Sequence, residues 1–142
     1  MSAATTYRII VPVALPAALS ANSRRRGNHW SQQEATDTLK QAATLKIREQ
    51  WCGAPLIRGP VMASIHIHWP STRKGRMPDL DTVGSFTKAV IDSLEGEVLE
   101  NDRQIERVTF TQSKLTKQET LTMWPDGAVV IDLERRQEAG AE

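Results

Sequence analysis

This chain of 142 residues is poor in cysteine and in long apolar runs, and its first half contains few acidic residues. The single cysteine, Cys52, excludes an internal disulfide and is typical of a reducing compartment. The apolar N-terminal run 9–19 is interrupted by Pro12 and Pro16, and no basic segment precedes it. We therefore expect neither a signal peptide nor a membrane span, and we predict a cytoplasmic protein.

The charges of the two halves of the chain have opposite signs. Residues 1–77 contain 11 Lys and Arg against 3 Asp and Glu, a balance of +8, and residues 78–142 contain 7 against 14, a balance of −7. The net charge of +1 conceals this separation. A basic region of this kind is typical of proteins that bind polyanions, but it can also arise without any such function. Charge alone leaves both interpretations open.

The pattern of apolar residues predicts a single α+β domain over residues 1–142, with a mixed or antiparallel sheet and two main helices. The predicted strands cover residues 7–13, 61–69, 105–112, 121–124 and 128–133, the last two on either side of a turn at 125–127. One helix is predicted to begin at a capping box of Ser31 and Glu34 and to end near Cys52, after a basic loop over 16–30. The other covers 82–94, with Gly96 as its C-cap, and residues 135–142 are expected to fray.

Three carboxylates in the acidic half could converge on a divalent cation. Asp79 and Asp81 lie two residues apart, so an extended segment would present both on one side, and Asp102 follows the next predicted helix. Like charges held together are unfavourable unless a cation neutralises them, and hard oxygen ligands suit magnesium or manganese. The structural alternative is an Asx turn, or Asp81 as the N-cap of the helix.

Lys88 is a cation inside this acidic segment. It follows Asp81 by seven residues, which at ~100° per residue returns it to within about 20° of the same helical face. A lysine in that position could stabilise charge that develops on a phosphate. The alternative is a solvated helix face on which Lys88 pairs with Asp92 at i,i+4, and the spacing alone favours that pair.

Three segments of the acidic half carry a resemblance to a known family. The segments Asp79–Asp81, Lys88–Leu94 and Val98–Ile105 resemble the RusA family of Holliday-junction resolvases. That family shows a D-x-D-N-L motif, a lysine, an Asp-x-Leu helix end and an acidic pair before Gln-Val, in that order. The segment Asn22–Arg24, which enters a basic loop after a strand and a proline-containing turn, is similar as well.

This chain departs from the family pattern at three places. Thr82 and Val83 replace Asn-Leu, Asn101 replaces the first acid of the pair, and Lys88 lies three residues further from Asp81 than in the compact pattern. Four and seven helical steps differ by only about 60° in direction, so the longer spacing keeps the lysine near the same face.

The resemblance implies a small homodimeric, magnesium-dependent endonuclease that nicks opposing strands of a four-way DNA junction symmetrically. By residue match, Asp79, Asp81 and Asp102 would bind Mg²⁺, with Mn²⁺ as a substitute, and Lys88 would be the catalytic lysine. A two-fold dimer suits a junction that presents two equivalent strands. The alternative from another class is a catalytically inactive dimer that binds branched DNA. A D-x-D glycosyltransferase is excluded by the length of the chain and by the lack of a glycine-rich phosphate loop.

Two further sets of side chains are candidates for contacts with DNA or metal. Six cations would contact DNA phosphates, although by default each is a solvated loop residue. These are Arg24, Arg25, Arg26, Arg73, Lys74 and Arg76. Trp30 could stack on a splayed base, but a helix-entry staple is the favoured role. His66 and His68 share a strand face and could bind a metal together; without a third ligand nearby in sequence, we expect them to be exposed or to face a dimer partner.

Overall fold

A mixed four-stranded sheet is the centre of the fold. The computed structural model describes residues 4–12, 29–72 and 88–136. The strands are β1 (Ala4–Val11), β2 (Val61–Trp69), β3 (Ile105–Lys114) and β4 (Ala128–Arg136). In the described ranges the helices are α1 (His29–Trp51), α2 (residues 88–92) and α3 (Lys117–Thr122), and a 3₁₀ helix, Asp102–Gln104, leads into β3. The predicted α+β class and mixed sheet are confirmed.

The strand order in the sheet is β1-β4-β2-β3. β4 runs antiparallel to both of its neighbours, β1 and β2, whereas β2 and β3 are parallel. Parallel neighbours need a long crossover rather than a hairpin, and the chain between β2 and β3 supplies one that includes α2. The starts of β2 and β3 and the end of β4 therefore meet at one end of the sheet.

One face of the sheet forms the core, as the alternation in β2 predicts. Every second residue of β2 is buried, and the residues between them are more exposed. α1 contributes residues four apart to the same core, which places them on one helical stripe. The members of the core from these elements are Val61, Ala63, Ile65, Ile67 and Trp69 from β2, Val129, Ile131 and Leu133 from β4, and Leu39, Ala43 and Ile47 from α1.

The first helix begins earlier than predicted. α1 starts at His29, so Ser31 lies in its first turn instead of capping it, and the predicted basic loop extends too far by including residues 29 and 30. Adding residues to an existing helix costs little, because nucleation carries most of the cost, and this makes the start hard to fix from sequence. The predicted end is confirmed to within one residue: Cys52 and Gly53 follow with φ of 53° and 72°.

The prediction of a strand at 121–124 is wrong, because α3 occupies Lys117–Thr122. Thr116 caps this helix by accepting a hydrogen bond from the Glu119 amide at 3.1 Å, and the Glu119 carboxylate accepts one from the Thr116 amide at 2.9 Å. This capping box satisfies amides that a helix start leaves without partners. The described residues therefore contain three helices, one more than the two main helices predicted.

The last strand is longer than expected, and the first is shifted. β4 continues to Arg136, where its final residues pair with β1, so the predicted frayed tail begins too early by two residues. β1 starts at Ala4 and ends at Val11, just before Pro12, instead of covering 7–13. The predicted turn before β4 is confirmed at Gly127, whose φ is 86° and where a Cβ would collide with the His68 carbonyl. No helix in the described ranges is long and apolar enough to cross a membrane.

Candidate functional site

Asp102 lies on a short 3₁₀ turn at the start of β3. Asn101 is its N-cap: its backbone is extended, with φ −155° and ψ 143°, and its side-chain oxygen accepts a hydrogen bond from the Arg103 amide at 2.8 Å. The Asp102 side chain points into an exposed environment. The turn therefore presents one carboxylate to solvent at the end of the sheet where β2 and β3 begin.

Gln104 holds this turn against the loop that precedes β2. Its Oε1 accepts a hydrogen bond from the Asn101 amide at 2.8 Å. Its Nε2 donates to the carbonyls of Ile57 and Gly59, at 2.8 and 3.0 Å. One carboxamide thus uses both of its donors and its acceptor on backbone groups. Gln104 was not among the predicted site residues, although its position three residues after a capping Asn was a usable signal.

A buried turn connects α2 to Asp102. The Leu94 carbonyl accepts hydrogen bonds from the amides of Val98 and Leu99, at 2.9 and 3.0 Å, and all three residues are fully buried. Gly96 takes the left-handed conformation expected of it, with φ 83°, although the helical residues end at 92. The Ile57 amide donates to the Val98 carbonyl at 2.7 Å. The same loop therefore anchors both the buried turn and the Asp102 turn.

Two nearby carboxylates, Glu97 and Glu100, pair with arginines, whereas no ion pair of Asp102 is found in the described ranges. Glu100 forms an ion pair with Arg58 at 3.0 Å. The hydrogen bond from Arg48 to Glu97 holds the pKa of that carboxyl below its ordinary value. Asp102 is exposed, and exposed carboxylate oxygen is the donor type that Mg²⁺ prefers.

Lys88 forms the ion pair that its spacing favoured. Its ammonium lies 3.7 Å from the Asp92 carboxylate, and Lys40 of α1 lies 3.5 Å from the same oxygen. The Lys88 side chain is 77% exposed. Exposed pairs of this kind contribute only about 0–1 kcal/mol, so this contact does not prevent Lys88 from turning toward another anion. Its catalytic role stays a prediction.

Most of the other predicted site residues lie outside the described residues. They are Asp79, Asp81, Arg24, Arg25, Arg26, Arg73, Lys74 and Arg76. Among residues 4–12, 29–72 and 88–136, no group of three or more His, Cys, Asp or Glu could hold a metal ion. Two of the three predicted metal ligands fall outside that search, so the convergence of the three acids stays a prediction.

His66 and His68 share one face of β2, as predicted, but neither is fully exposed. The two ring nitrogens of His66 lie 2.6 Å from the Thr111 hydroxyl and 2.7 Å from the Ser113 hydroxyl, both on β3. The His66 and His68 rings are 4.4 Å apart, and His68 lies 5.1 Å from the Trp124 ring. Burial lowers the pKa of both histidines. Because both of its ring nitrogens contact hydroxyl groups of β3, His66 links β2 to β3 instead of binding a metal.

Comparison with known families identifies the class of enzyme. A family model described as Endodeoxyribonuclease RusA matches residues 14–123, which is most of the chain. This match defines the class as nucleases that cut DNA within a strand. The chain belongs to the RusA endodeoxyribonuclease family. The matched range includes Asp79, Asp81, Lys88 and Asp102 and ends before β4. No curated protein matches the chain.

Proposed function

We propose that this protein is a magnesium-dependent endonuclease that resolves four-way DNA junctions by paired symmetric nicks, in DNA recombination or repair. Family membership supports endodeoxyribonuclease activity. The structural observation that carries the proposal is Asp102, an exposed carboxylate without a cationic partner among the described residues. Gln104 holds the turn that bears it, so the carboxylate is pre-positioned for a ligand.

The proposed metal ligands are Asp79, Asp81 and Asp102. When bound, Mg²⁺ would polarise the phosphodiester and make a bound water a better nucleophile. Lys88 would add positive charge close to the phosphate as negative charge develops on its oxygens, after exchanging its weak pair with Asp92 for the substrate. Mn²⁺ should substitute for Mg²⁺, because both accept carboxylate and water oxygens.

The basic first half would hold the DNA. The acids of the site repel phosphate, and cations placed around them offset that repulsion. We propose phosphate contacts for Arg24, Arg25, Arg26, Arg73, Lys74 and Arg76. Binding through such contacts releases counterions and should therefore weaken steeply with salt.

We further propose that the protein acts as a homodimer. Two equivalent sites related by a two-fold axis match the two equivalent strands that a junction presents. In the described ranges, Leu121 and Met123 at the end of α3 are 73% and 52% exposed, which makes this apolar surface a candidate for contact with a second copy. Sedimentation should give the mass of a dimer, and Leu121→Ser with Met123→Ser should give a monomer. A dimer that survives both substitutions would place the interface elsewhere.

The structure weakens one argument for the alternative, an inactive DNA-binding dimer. That alternative draws on Asn101, which replaces an acid of the family pattern. Asn101 acts as the cap of the Asp102 turn, a role that Asn and Asp fill equally well. The substitution therefore preserves the turn and leaves Asp102 in place.

The test offers four-way, Y-shaped and linear duplex DNA to the purified protein with and without Mg²⁺. We expect cutting that requires Mg²⁺ and is confined to the four-way junction. Asp102→Asn should abolish cutting while junction binding is kept or strengthened, because a charge that repels phosphate is removed. Glu95→Gln, at another exposed acid in the same segment, is the matched control and should cut normally. Cutting by Asp102→Asn at the wild-type rate would contradict the metal assignment.

A further inference from the structure

We propose that Arg58 and Arg135 form a binding site for a DNA backbone phosphate beside Asp102. Neither arginine was among the predicted DNA contacts, and they come from separate parts of the chain. The inference rests on the proposed function, because it assigns these residues to the substrate of the same site.

The two arginines line one surface cavity at the end of the sheet where β2 begins. Its volume is about 410 Å³, and Pro55, Leu56 and Glu100 complete its wall. Arg58 lies in the loop before β2, and Arg135 lies near the end of β4, in register with Val61 of β2. The fold thus brings together two guanidinium groups that are far apart in sequence. The planar guanidinium group binds phosphate oxygens through two hydrogen bonds at once.

The cavity is close to Asp102 and is held in a defined position relative to it. Glu100, in the cavity wall, precedes Asp102 by two residues, so their Cα atoms are at most about 7 Å apart. The carbonyls that Gln104 binds belong to Ile57 and Gly59, the residues on either side of Arg58. The backbone that carries Arg58 is therefore attached directly to the turn that carries Asp102.

This spacing suits a DNA strand that passes over Asp102. A strand carries one phosphate for about every 3.4 Å of helix axis, so a strand held at Asp102 presents further phosphates within the reach of an arginine side chain. Pro55 and Leu56 carry no charge, so the charged groups of the cavity wall are the two arginines and Glu100, and the arginines favour an anion. We therefore assign the cavity to a phosphodiester adjacent to the one that is cut.

Glu100 competes with phosphate for this site. It pairs with Arg58 at 3.0 Å, but the Arg58 side chain is 80% exposed and the Glu100 side chain is 49% exposed. An ion pair this exposed is weak and is screened by salt. A phosphate can therefore take the place of Glu100 at little cost. Removing the charge of Glu100 should consequently strengthen DNA binding.

The test measures binding of a fluorescent four-way junction by anisotropy in EDTA, between 50 and 200 mM NaCl, so that cutting plays no part. Each lost phosphate contact should reduce the slope of log affinity against log salt by about 0.9, or about 0.7 on single-stranded DNA. We expect this loss for Arg58→Ala and again for Arg135→Ala. The double variant should lose about twice as much, and Glu100→Gln should bind more tightly than the wild type.

Arg48→Ala is the matched control. Arg48 also forms an exposed ion pair with a glutamate, Glu97, but it lies on α1 and does not line this cavity. The control removes the same charge at a position outside the proposed phosphate site, so the salt slope of the wild type is expected for it. Circular dichroism and thermal melting check that each variant is folded. If Arg135→Ala unfolds, Arg58→Ala and Glu100→Gln decide the question, because both residues are exposed.

The possible outcomes distinguish a failure of this phosphate site from a failure of the proposed function. If the wild type cuts junctions with Mg²⁺ but Arg58→Ala keeps the wild-type slope, the cavity is not a phosphate site and the proposed function stands. An equal loss of slope in Arg48→Ala, or weaker binding by Glu100→Gln, would also overturn the site. A wild type that neither binds nor cuts junction DNA would overturn both proposals.

Discussion

Replacing Gln104 with alanine should loosen the Asp102 turn. The substitution removes three hydrogen bonds, one from the Asn101 amide and two to the carbonyls of Ile57 and Gly59. A typical bond contributes a net 0.5–1.5 kcal/mol, and two of these three are exposed to water, which favours the lower end of that range. We expect the free energy of unfolding to fall by about 2 kcal/mol. For a domain of this size, that corresponds to a melting temperature lower by about 4–8 °C.

Gln104→Ala should also change the Mg²⁺ requirement for cutting, by more than the loss of stability explains. Without Gln104, the turn would sample positions in which Asp102 is too far from the other proposed metal ligands, Asp79 and Asp81. The Mg²⁺ concentration for half-maximal cutting should therefore rise, at a temperature where the variant is fully folded. Denaturant unfolding gives the stability, and initial cutting rates over a Mg²⁺ titration give the metal requirement. Gln118→Ala, an exposed glutamine on α3, is the control and should change neither quantity.

A free energy of unfolding for Gln104→Ala within about 0.5 kcal/mol of the wild-type value, the range expected of an ordinary surface substitution, would show that Gln104 does not hold the turn. Unchanged Mg²⁺ dependence with reduced stability would show that Gln104 supports the fold but does not position Asp102.

Three further predictions concern the core, the histidines and the basic loop. Leu99→Ala, at a fully buried position, should lower the free energy of unfolding by about 2–5 kcal/mol in denaturant titrations, and a loss below 1 kcal/mol would contradict the close packing of the turn. Because burial lowers the pKa of His66 and His68 in the folded state, the unfolded chain binds more protons below the ordinary histidine pKa, so stability should fall as the pH is lowered from 7 to 5.5. Replacing both with Asn should flatten that profile, and an unchanged profile would assign it to other groups. Neutralising Arg24–Arg26 should lower the affinity for the junction and the dependence of that affinity on salt. An unchanged salt dependence would indicate that these arginines are solvated loop residues without phosphate contacts.

The parts of the fold that the sequence predicted are those with strong local patterns. The alternation in β2 identifies its buried face, because a strand buried on one side must alternate. The end of α1 is marked by Gly53, which takes the left-handed conformation that glycine adopts without strain. The same kind of signal located the turns at Gly96 and Gly127.

The sequence-based predictions are wrong or incomplete where two local patterns compete, or where contacts join residues that are distant in sequence. Residues 121–124 contain β-branched and aromatic side chains that suggest a strand, yet the Thr116–Glu119 capping box starts a helix that already includes Leu121. At the candidate site, the acids carry a recognisable spacing. The capping box of Asn101 and Gln104 is a local pattern, but the bonds of Gln104 to Ile57 and Gly59 are distant in sequence. The juxtaposition of Arg58 and Arg135 likewise depends on which strands are neighbours in the sheet, and no local pattern shows that.

Mapping nicks on a four-way junction tests the central claim most directly. Each strand is labelled in turn, and the products formed with Mg²⁺ are separated on a denaturing gel. A junction resolvase predicts nicks at symmetry-related positions on two opposing strands and none on linear duplex of the same sequence. Tight junction binding with no nick in either Mg²⁺ or Mn²⁺ would contradict the account and favour the inactive DNA-binding dimer.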